Sequence, residues 1–398
     1  MDRVLEPLAQ HRALVEWLKT HERAVWDWYG DAERQGRDAE AVRLSLLRDT
    51  YRMDAEGHPE LFVEIAAAKE ALGLQAVEVS AYQAQGDGRI NAAICYLPGE
   101  AHLIFSGPIL TLLSSAELRA VIGHELAHYR LWDQDGGDFF RADRILHQAA
   151  DHPGAQPSHG HSARLWSLAT ELFADRGAWL AAGDLETAVA ALVKISTGLP
   201  QVSAKSYLAQ ADEIFSKSKP RTEQLTHPET FMRARALRLW ADEDEALEEA
   251  IATMLVEQEG LDEMDLLQQA RLAELTRRFI GHHLAPLWFR SEAVLAHARL
   301  YFPDFAPAAA GDGLENELAS LSKPRREYLC HVMLDFCAVD PDLEDLPLAA
   351  GFERARDLEC LGHFEKIATK ELKLKAKDVK KLKDKAAGML AAAKLETP

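Results

Sequence analysis

His124, Glu125 and His128 form a His-Glu-x-x-His pattern, which on a helix places two imidazoles on one face about a turn apart. Two such rings can share a single tetrahedral zinc. Glu125 stands beside the first ring, where a carboxylate can take the proton from a water acidified by the metal, so that the water attacks an amide carbonyl. A catalytic zinc also needs a third protein ligand and an open position. Glu171-Leu172-Phe173-Ala174-Asp175 offers Glu171 as that ligand, with Asp175 one turn further on the same face. Asp175 would then accept the free N–H of a ligand imidazole and fix its orientation. The plainer reading is a histidine pair on an ordinary helix and an exposed Glu/Asp pair, and the first motif alone does not separate the two.

The surrounding sequence supplies elements that could carry these side chains. Ser115 is a candidate N-cap, and Leu118, Val121, Ile122, Leu126 and Tyr129 behind it have helical spacing, so the first motif is expected on a helix ended by the Gly- and Asp-rich 133–138. Residues 151–161, with Pro153, Gly154, Pro157 and Gly160, read as a loop, and 163–180 returns to helical periodicity carrying Glu171. From Val4 to about Leu72 apolar residues recur at three and four, which predicts helices broken near 54–59. Val77 and Val79 alternate with polar neighbours, and 90–96 and 102–105 look extended after the turn at 86–88, which predicts a small sheet. The expected class is α+β, predominantly α-helical.

Between Leu239 and Ala270 there are eleven acidic residues and no Lys, Arg or His, a charge shift that sets the expected domain boundary near Asp244. Residues 1–244 then form the domain of the metal motifs, and 245–398 a helical second domain. A formal charge of -19 argues against nonspecific nucleic-acid binding, because a phosphate backbone is held by surplus Lys and Arg. Residues 1–30 are charged throughout and show no secretion signal. The most apolar segment, 103–113, is broken by Ser106, Gly107 and Pro108 and falls short of the roughly 20 residues of a spanning helix. Cys95, Cys330, Cys337 and Cys360 contain no C-x-x-C pair, which argues against a thiolate zinc knuckle and gives no disulfide framework, so a cytoplasmic location is expected.

These pieces resemble the zinc metallopeptidases that include the bacterial heat-shock protease HtpX and the eukaryotic CAAX prenyl endopeptidase. Asn91-Ala92, Leu112-Leu113-Ser114 with Glu117-Leu118, the His124–His128 motif, Glu171 to Asp175, and Thr226-His227-Pro228 followed by Arg233 occur in that family's order across roughly 77–239. The resemblance implies a gluzincin: a zincin-type domain with one zinc on His124, His128 and Glu171, cleaving peptides or unfolded proteins. It implies further that Asn91 and Ala92 lie on an edge strand that pairs with extended substrate. It makes His227 an oxyanion donor and Arg233 a brace of the site. On the residues alone, Asn91 could equally be a turn residue after Gly88, His227-Pro228 a helix N-terminal turn, and Arg233 part of a solvated face with Arg235 and Arg238. The chain lacks the membrane helices of the best-known members, which implies a soluble branch.

Other candidates carry less. His152, His159 and His161 sit in the expected loop without a carboxylate or cysteine in register, and His282-His283 read as helix surface or core. The stretch from Tyr328 to Leu382 resembles the helical module of the tellurite resistance protein B family through an acidic turn, Asp340, Asp342, Glu344 and Asp345. Pro341 and Pro347 break an EF-hand pattern there, so the turn reads as a cap. Residues 366–385 hold nine lysines against three acidic residues, an amphipathic helix that could meet a protein partner. The expected function is a zinc endopeptidase; the alternative is a regulatory or scaffold protein with an inactive or autoinhibited peptidase-like domain.

Overall fold

The computed structural model describes residues 5–34, 39–86, 88–217, 229–242, 247–255, 260–307 and 313–396. The chain divides into two units, 1–257 and 258–398. The division lies beyond the acidic shift near Asp244. Helix 247–255 buries Ile251, Met254 and Leu255 and packs on elements of the first unit.

The first unit begins with α1 (Ala9–His21), α2 (Arg23–Arg34) and α3 (Ala39–Asp49). The chain then runs directly into β1 (Thr50–Met53), where the sequence had suggested continued helix. Four residues are too few to show a period, and it is the antiparallel partner that makes them a strand: Thr50 faces Ala84 and Met53 faces Ala81. After α4 (Pro59–Leu72) come β2 (Glu78–Ala84), β3 (Asn91–Leu97) and β4 (Glu100–Ser106). The sheet order is β1-β2-β4-β3, with β2 parallel and β3 antiparallel to β4. β3 is therefore an outer strand with one edge unpaired by the sheet.

Next come α5 (Ile109–Leu112), α6 (Ser115–Asp133), α7 (Asp138–Asp151) and α8 (Pro157–Ala182). The N-cap of α6 is Ser114, one residue before the expected Ser115. Its hydroxyl accepts from the Glu117 amide at 3.4 Å, while Glu117 accepts from the Ser114 amide at 2.8 Å. α8 begins at Pro157, not near Ala163, so His159, Gly160 and His161 lie in its first turns and only the start of the 151–161 stretch is loop. Proline fits the first helical turn because its missing N–H has no partner there anyway, so a residue read as a breaker is a start signal.

The unit is completed by α9 (Leu185–Thr197), α10 (Ala204–Lys217), α11 (Thr230–Ala241) and α12 (Leu247–Leu255). α6 and α8 form its centre: Leu126, Ala127, Tyr129, Trp166, Leu168 and Phe173 are fully buried. Their close crossing depends on glycine. A β-carbon on Gly123 would lie 2.3 Å from the β-carbon of Ala181, and one on Gly177 would lie 2.4 Å from that of Ala127.

The second unit contains α13 (Leu266–His283), α14 (Glu292–Tyr301), α15 (Leu314–Ala319), α16 (Lys323–Asp335), α17 (Leu346–Asp357), α18 (Leu361–Glu371) and α19 (Ala376–Glu396). Phe279, Phe289, Phe336, Phe352 and Phe364 are fully buried in its core. His283 belongs to that core, stacked on Phe279. Asp340 accepts from the Asp342 amide at 3.0 Å, so the acidic turn includes a side-chain cap. Among the described residues no helix is long and apolar enough to cross a membrane.

Candidate metal centre

The closeness of α6 and α8 brings three side chains to one point. His124 and His128 project from α6, their Nε2 atoms 3.4 Å apart. Glu171 projects from α8, with Oε2 3.7 Å from His124 Nε2 and Oε1 3.7 Å from His128 Nε2. Donor atoms of a tetrahedral zinc, at about 2.0–2.2 Å from the ion, are roughly 3.3–3.6 Å from one another. The observed separations fit that set. Among the described residues this trio is the group of His, Cys, Asp and Glu that could hold a metal ion.

Asp175, one turn beyond Glu171, reaches the other nitrogen of the first ring, with Oδ1 3.2 Å from His124 Nδ1. That contact makes Nδ1 the proton-bearing nitrogen and leaves the Nε2 lone pair facing His128 and Glu171. Asp175 is itself held by Arg233 from α11, whose Nε and Nη2 donate to its two oxygens at 2.7 and 2.6 Å. Arg233 Nη1 also lies 3.5 Å from Glu171 Oε2. Arg233 is therefore not part of a solvated face. Arg235 and Arg238 are separate from it and pair with Asp212. His128 Nδ1 is buried and has no hydrogen-bond partner among the described residues. Trp132, one turn further along α6, instead packs its ring against that of His128 at 5.5 Å between centroids.

Burial dominates the electrostatics of the site. It disfavours the charged form of His124, but the hydrogen bond to Asp175 and the Glu171 carboxylate outweigh it and raise the pKa above 6.5. Burial lowers His128 to about 4, with His124 adding to the effect, so this imidazole is neutral and ready to bind metal near pH 7. Burial raises Glu125 to about 7. A carboxyl near that value can both accept and return a proton at neutral pH. Burial also works against the Asp175 carboxylate, yet Arg233 and His124 hold it below the usual range.

The site opens into a cavity of about 950 Å³. Asn91 and Ala92 line it from the outer strand β3, so Asn91 is a strand residue and not a turn after Gly88. Leu192 and Ile195 of α9 line another wall. α9 is tied to the start of α6 by Lys194, which donates to Glu117 at 2.8 Å. His227 lies outside the described residues. Neither glycine of the helix crossing nor Trp132 was singled out from sequence. The signal for Trp132 was its position four residues after His128.

A peptidase family M48 model matches residues 59–136, the stretch from α4 past the end of α6 that includes His124, Glu125 and His128. The chain is 28% identical over 198 residues to the plastoglobule-localized metallopeptidase 48, chloroplastic, of Arabidopsis thaliana, an alignment covering 44% of this chain and 55% of the relative. The chain thus spans just over half the length of that relative. No solved structure matches it. The helix that bears both imidazoles and Glu125 lies inside the stretch of this chain that the peptidase family M48 model matches.

Proposed function

We propose that this chain is a zinc-dependent endopeptidase acting on peptides or unfolded protein segments. The reading is carried by the meeting of His124, His128 and Glu171 donor atoms beside a buried Glu125, in a cavity lined by an outer β-strand. Zinc bound there would supply a Lewis acid that acidifies water and polarises the scissile carbonyl. Glu125 takes the proton of the attacking water and returns it to the leaving amine, a role suited to its raised pKa. Asp175 holds the His124 tautomer, and Arg233 holds Asp175. Asn91 and Ala92 would pair with substrate backbone by strand addition. His227 enters as the oxyanion donor on the family resemblance alone. The cytoplasm, as the location, rests on cysteine usage. The second unit as an interaction element that resembles tellurite resistance protein B rests on the sequence reading.

The experiment is elemental analysis of the pure protein together with casein proteolysis by it and by Glu125→Gln. The expected result is one zinc per chain in both proteins, with cleavage lost only in the variant. Retained cleavage by the variant, or zinc without turnover under any condition, overturns the mechanism.

A further inference from the structure

Two of the four cysteines, far apart in sequence, are brought together by the second unit. Cys330 of α16 and Cys360 are separated by thirty residues, yet their buried sulfurs meet at 2.8 Å as free thiols. We propose that Cys330 and Cys360 are a reversible redox pair, which a hydroperoxide converts to an intrachain disulfide that locks the start of α18 onto α16. The inference concerns the second unit alone and stands independently of the peptidase reading.

Contacts other than the sulfurs hold the two residues in place. Arg326 precedes Cys330 by four residues, so both lie on one face of α16. Its Nε donates to the Leu321 carbonyl at 2.8 Å and its Nη1 to the Glu359 carboxylate at 2.6 Å, which ties the residue before Cys360 to α16. Glu359 has a left-handed φ of 54°, and the Cys360 amide donates to the Ala355 carbonyl at 2.9 Å, so the chain turns sharply between α17 and α18. Cys360 Sγ also lies 3.9 Å from the Arg326 carbonyl. A disulfide bond is about 2.05 Å long, so its formation asks for less than about 1 Å of sulfur movement.

The two sulfurs have different roles. A hydrogen bond from Cys330, with the nearby Arg326 cation, holds the Cys360 thiol below its usual pKa, and its place as N-cap of α18 favours an anion further. Cys330, which gives that hydrogen bond and is fully buried, is shifted upward. Cys360 is therefore the attacking thiolate, and at 9% exposure it admits a small hydroperoxide more readily than a bulky disulfide. Its sulfur takes one peroxide oxygen as a sulfenic acid while the O–O bond breaks, and the released hydroxide regains as water the proton that Cys360 had lost. The Cys330 sulfur then attacks that of Cys360: the S–S bond forms, the S–O bond breaks, and the second hydroxide leaves as water with the Cys330 proton. Two electrons pass from the thiols to one peroxide, and a dithiol returns them by exchange. Cys337 of the same unit donates instead to the Met333 carbonyl at 3.4 Å, and burial pushes its thiol up to about 12, which keeps it out of the reaction.

The test reduces the full chain with dithiothreitol, removes the reductant under nitrogen and adds a small excess of hydrogen peroxide. Thiol titration and peptide mapping by mass spectrometry read the product. The thiol count should fall from four to two, with a Cys330–Cys360 cross-linked peptide that disappears when dithiothreitol is restored to the native protein. The melting transition of the second unit should rise by about 5–10 °C on oxidation. Cys330→Ala and Cys360→Ala should each lose the cross-link and the rise, and Cys337→Ala should keep both; should either of the first two fail to fold, the wild-type map and Cys337→Ala still decide. Four thiols after peroxide, an oxidised Cys360 without the cross-link, a cross-link through another cysteine, or a bond that dithiothreitol reduces only after denaturation overturns the redox pair. An unchanged melting transition in the cross-linked protein overturns the lock.

Discussion

Gly123 of α6 and Gly177 of α8 face each other across the helix crossing, each lying where a β-carbon would come within 3.0 Å of the other's carbonyl oxygen. The crossing lies one residue from His124 and two from Asp175, so the spacing of the two helices also sets the spacing of the metal-site side chains. Gly123→Ala and Gly177→Ala should each destabilise the first unit by about 1–3 kcal/mol despite the better helix propensity of alanine. Each should also weaken zinc binding, read by competition with a chromogenic chelator. Gly160→Ala, in the same helix with open space at its β-carbon, is the control and should leave both unchanged or gain slightly in stability. Wild-type zinc affinity in Gly177→Ala would dissociate the crossing from the site.

Asp175→Asn preserves the shape of the side chain but removes the charge that orients His124 and pairs with Arg233. Loss of such an outer partner costs about 10–100-fold in metal affinity. The same loss is expected here by zinc titration, together with a lower melting temperature, because Arg233 would be left buried without its nearer carboxylate, with Glu171 at 3.5 Å. A variant with unchanged zinc affinity would show that the contact with His124 is incidental.

Zinc must compete with a proton at His124. The folded-state pKa of this ring lies above 6.5, so below that raised value the metal-free protein holds a proton that zinc has to displace. Zinc affinity should therefore fall about tenfold per pH unit as pH drops through and below the His124 pKa, and be flat above it. His128, lowered to about 4, adds a second proton only in stronger acid. Isothermal titration between pH 5 and 8 in buffers of differing ionisation enthalpy reads the linked proton directly. A slope of zero across that range would contradict the assigned hydrogen bonding.

Acid sensitivity has a second source, in buried rings outside the metal-site trio. His11 is lowered to about 3 by burial first and His128 second, and accepts at Nδ1 from the Leu8 amide while its Nε2 meets Thr170 at 3.1 Å. His283 in the second unit is lowered to about 3, again chiefly by burial. Both pKa values are depressed relative to the unfolded 6.5, so between pH 6.5 and about 3 the unfolded chain binds more protons than the native one. Stability should fall with falling pH in that window, by up to about 1.4 kcal/mol per pH unit for each ring. Denaturant titrations should show a shallower pH slope for the transition of the first unit in His11→Gln, and of the second in His283→Gln. An unchanged slope in either variant would exclude that ring as the source.

The site was legible in sequence to the extent that its chemistry lies at helical spacing. His124 and His128 are four apart, as are Glu171 and Asp175, and period alone puts each pair on a face. What period cannot give is the meeting of faces from different helices. Gly123 and Gly177 read as weak points in helices until their mutual contact is known. The sheet was visible from alternation in β2 to β4, but not β1, whose four residues borrow their conformation from Ala81 to Ala84. The expected loop at 151–161 failed at Pro157 because proline marks a helix start as well as a break, and sequence alone does not say which.

If the chain is the peptidase proposed above, the outer position of β3 in the sheet sets a condition on what can be cut, independent of side chains. A strand that pairs through its backbone asks a partner for amide and carbonyl groups with no other engagement. A folded domain has already committed nearly all of these internally, so it has little to present to Asn91 and Ala92 however well its surface residues match the cavity. On the proposed reading, the architecture of the sheet would spare native proteins and leave exposed, loosened stretches of chain as the material that could be gripped.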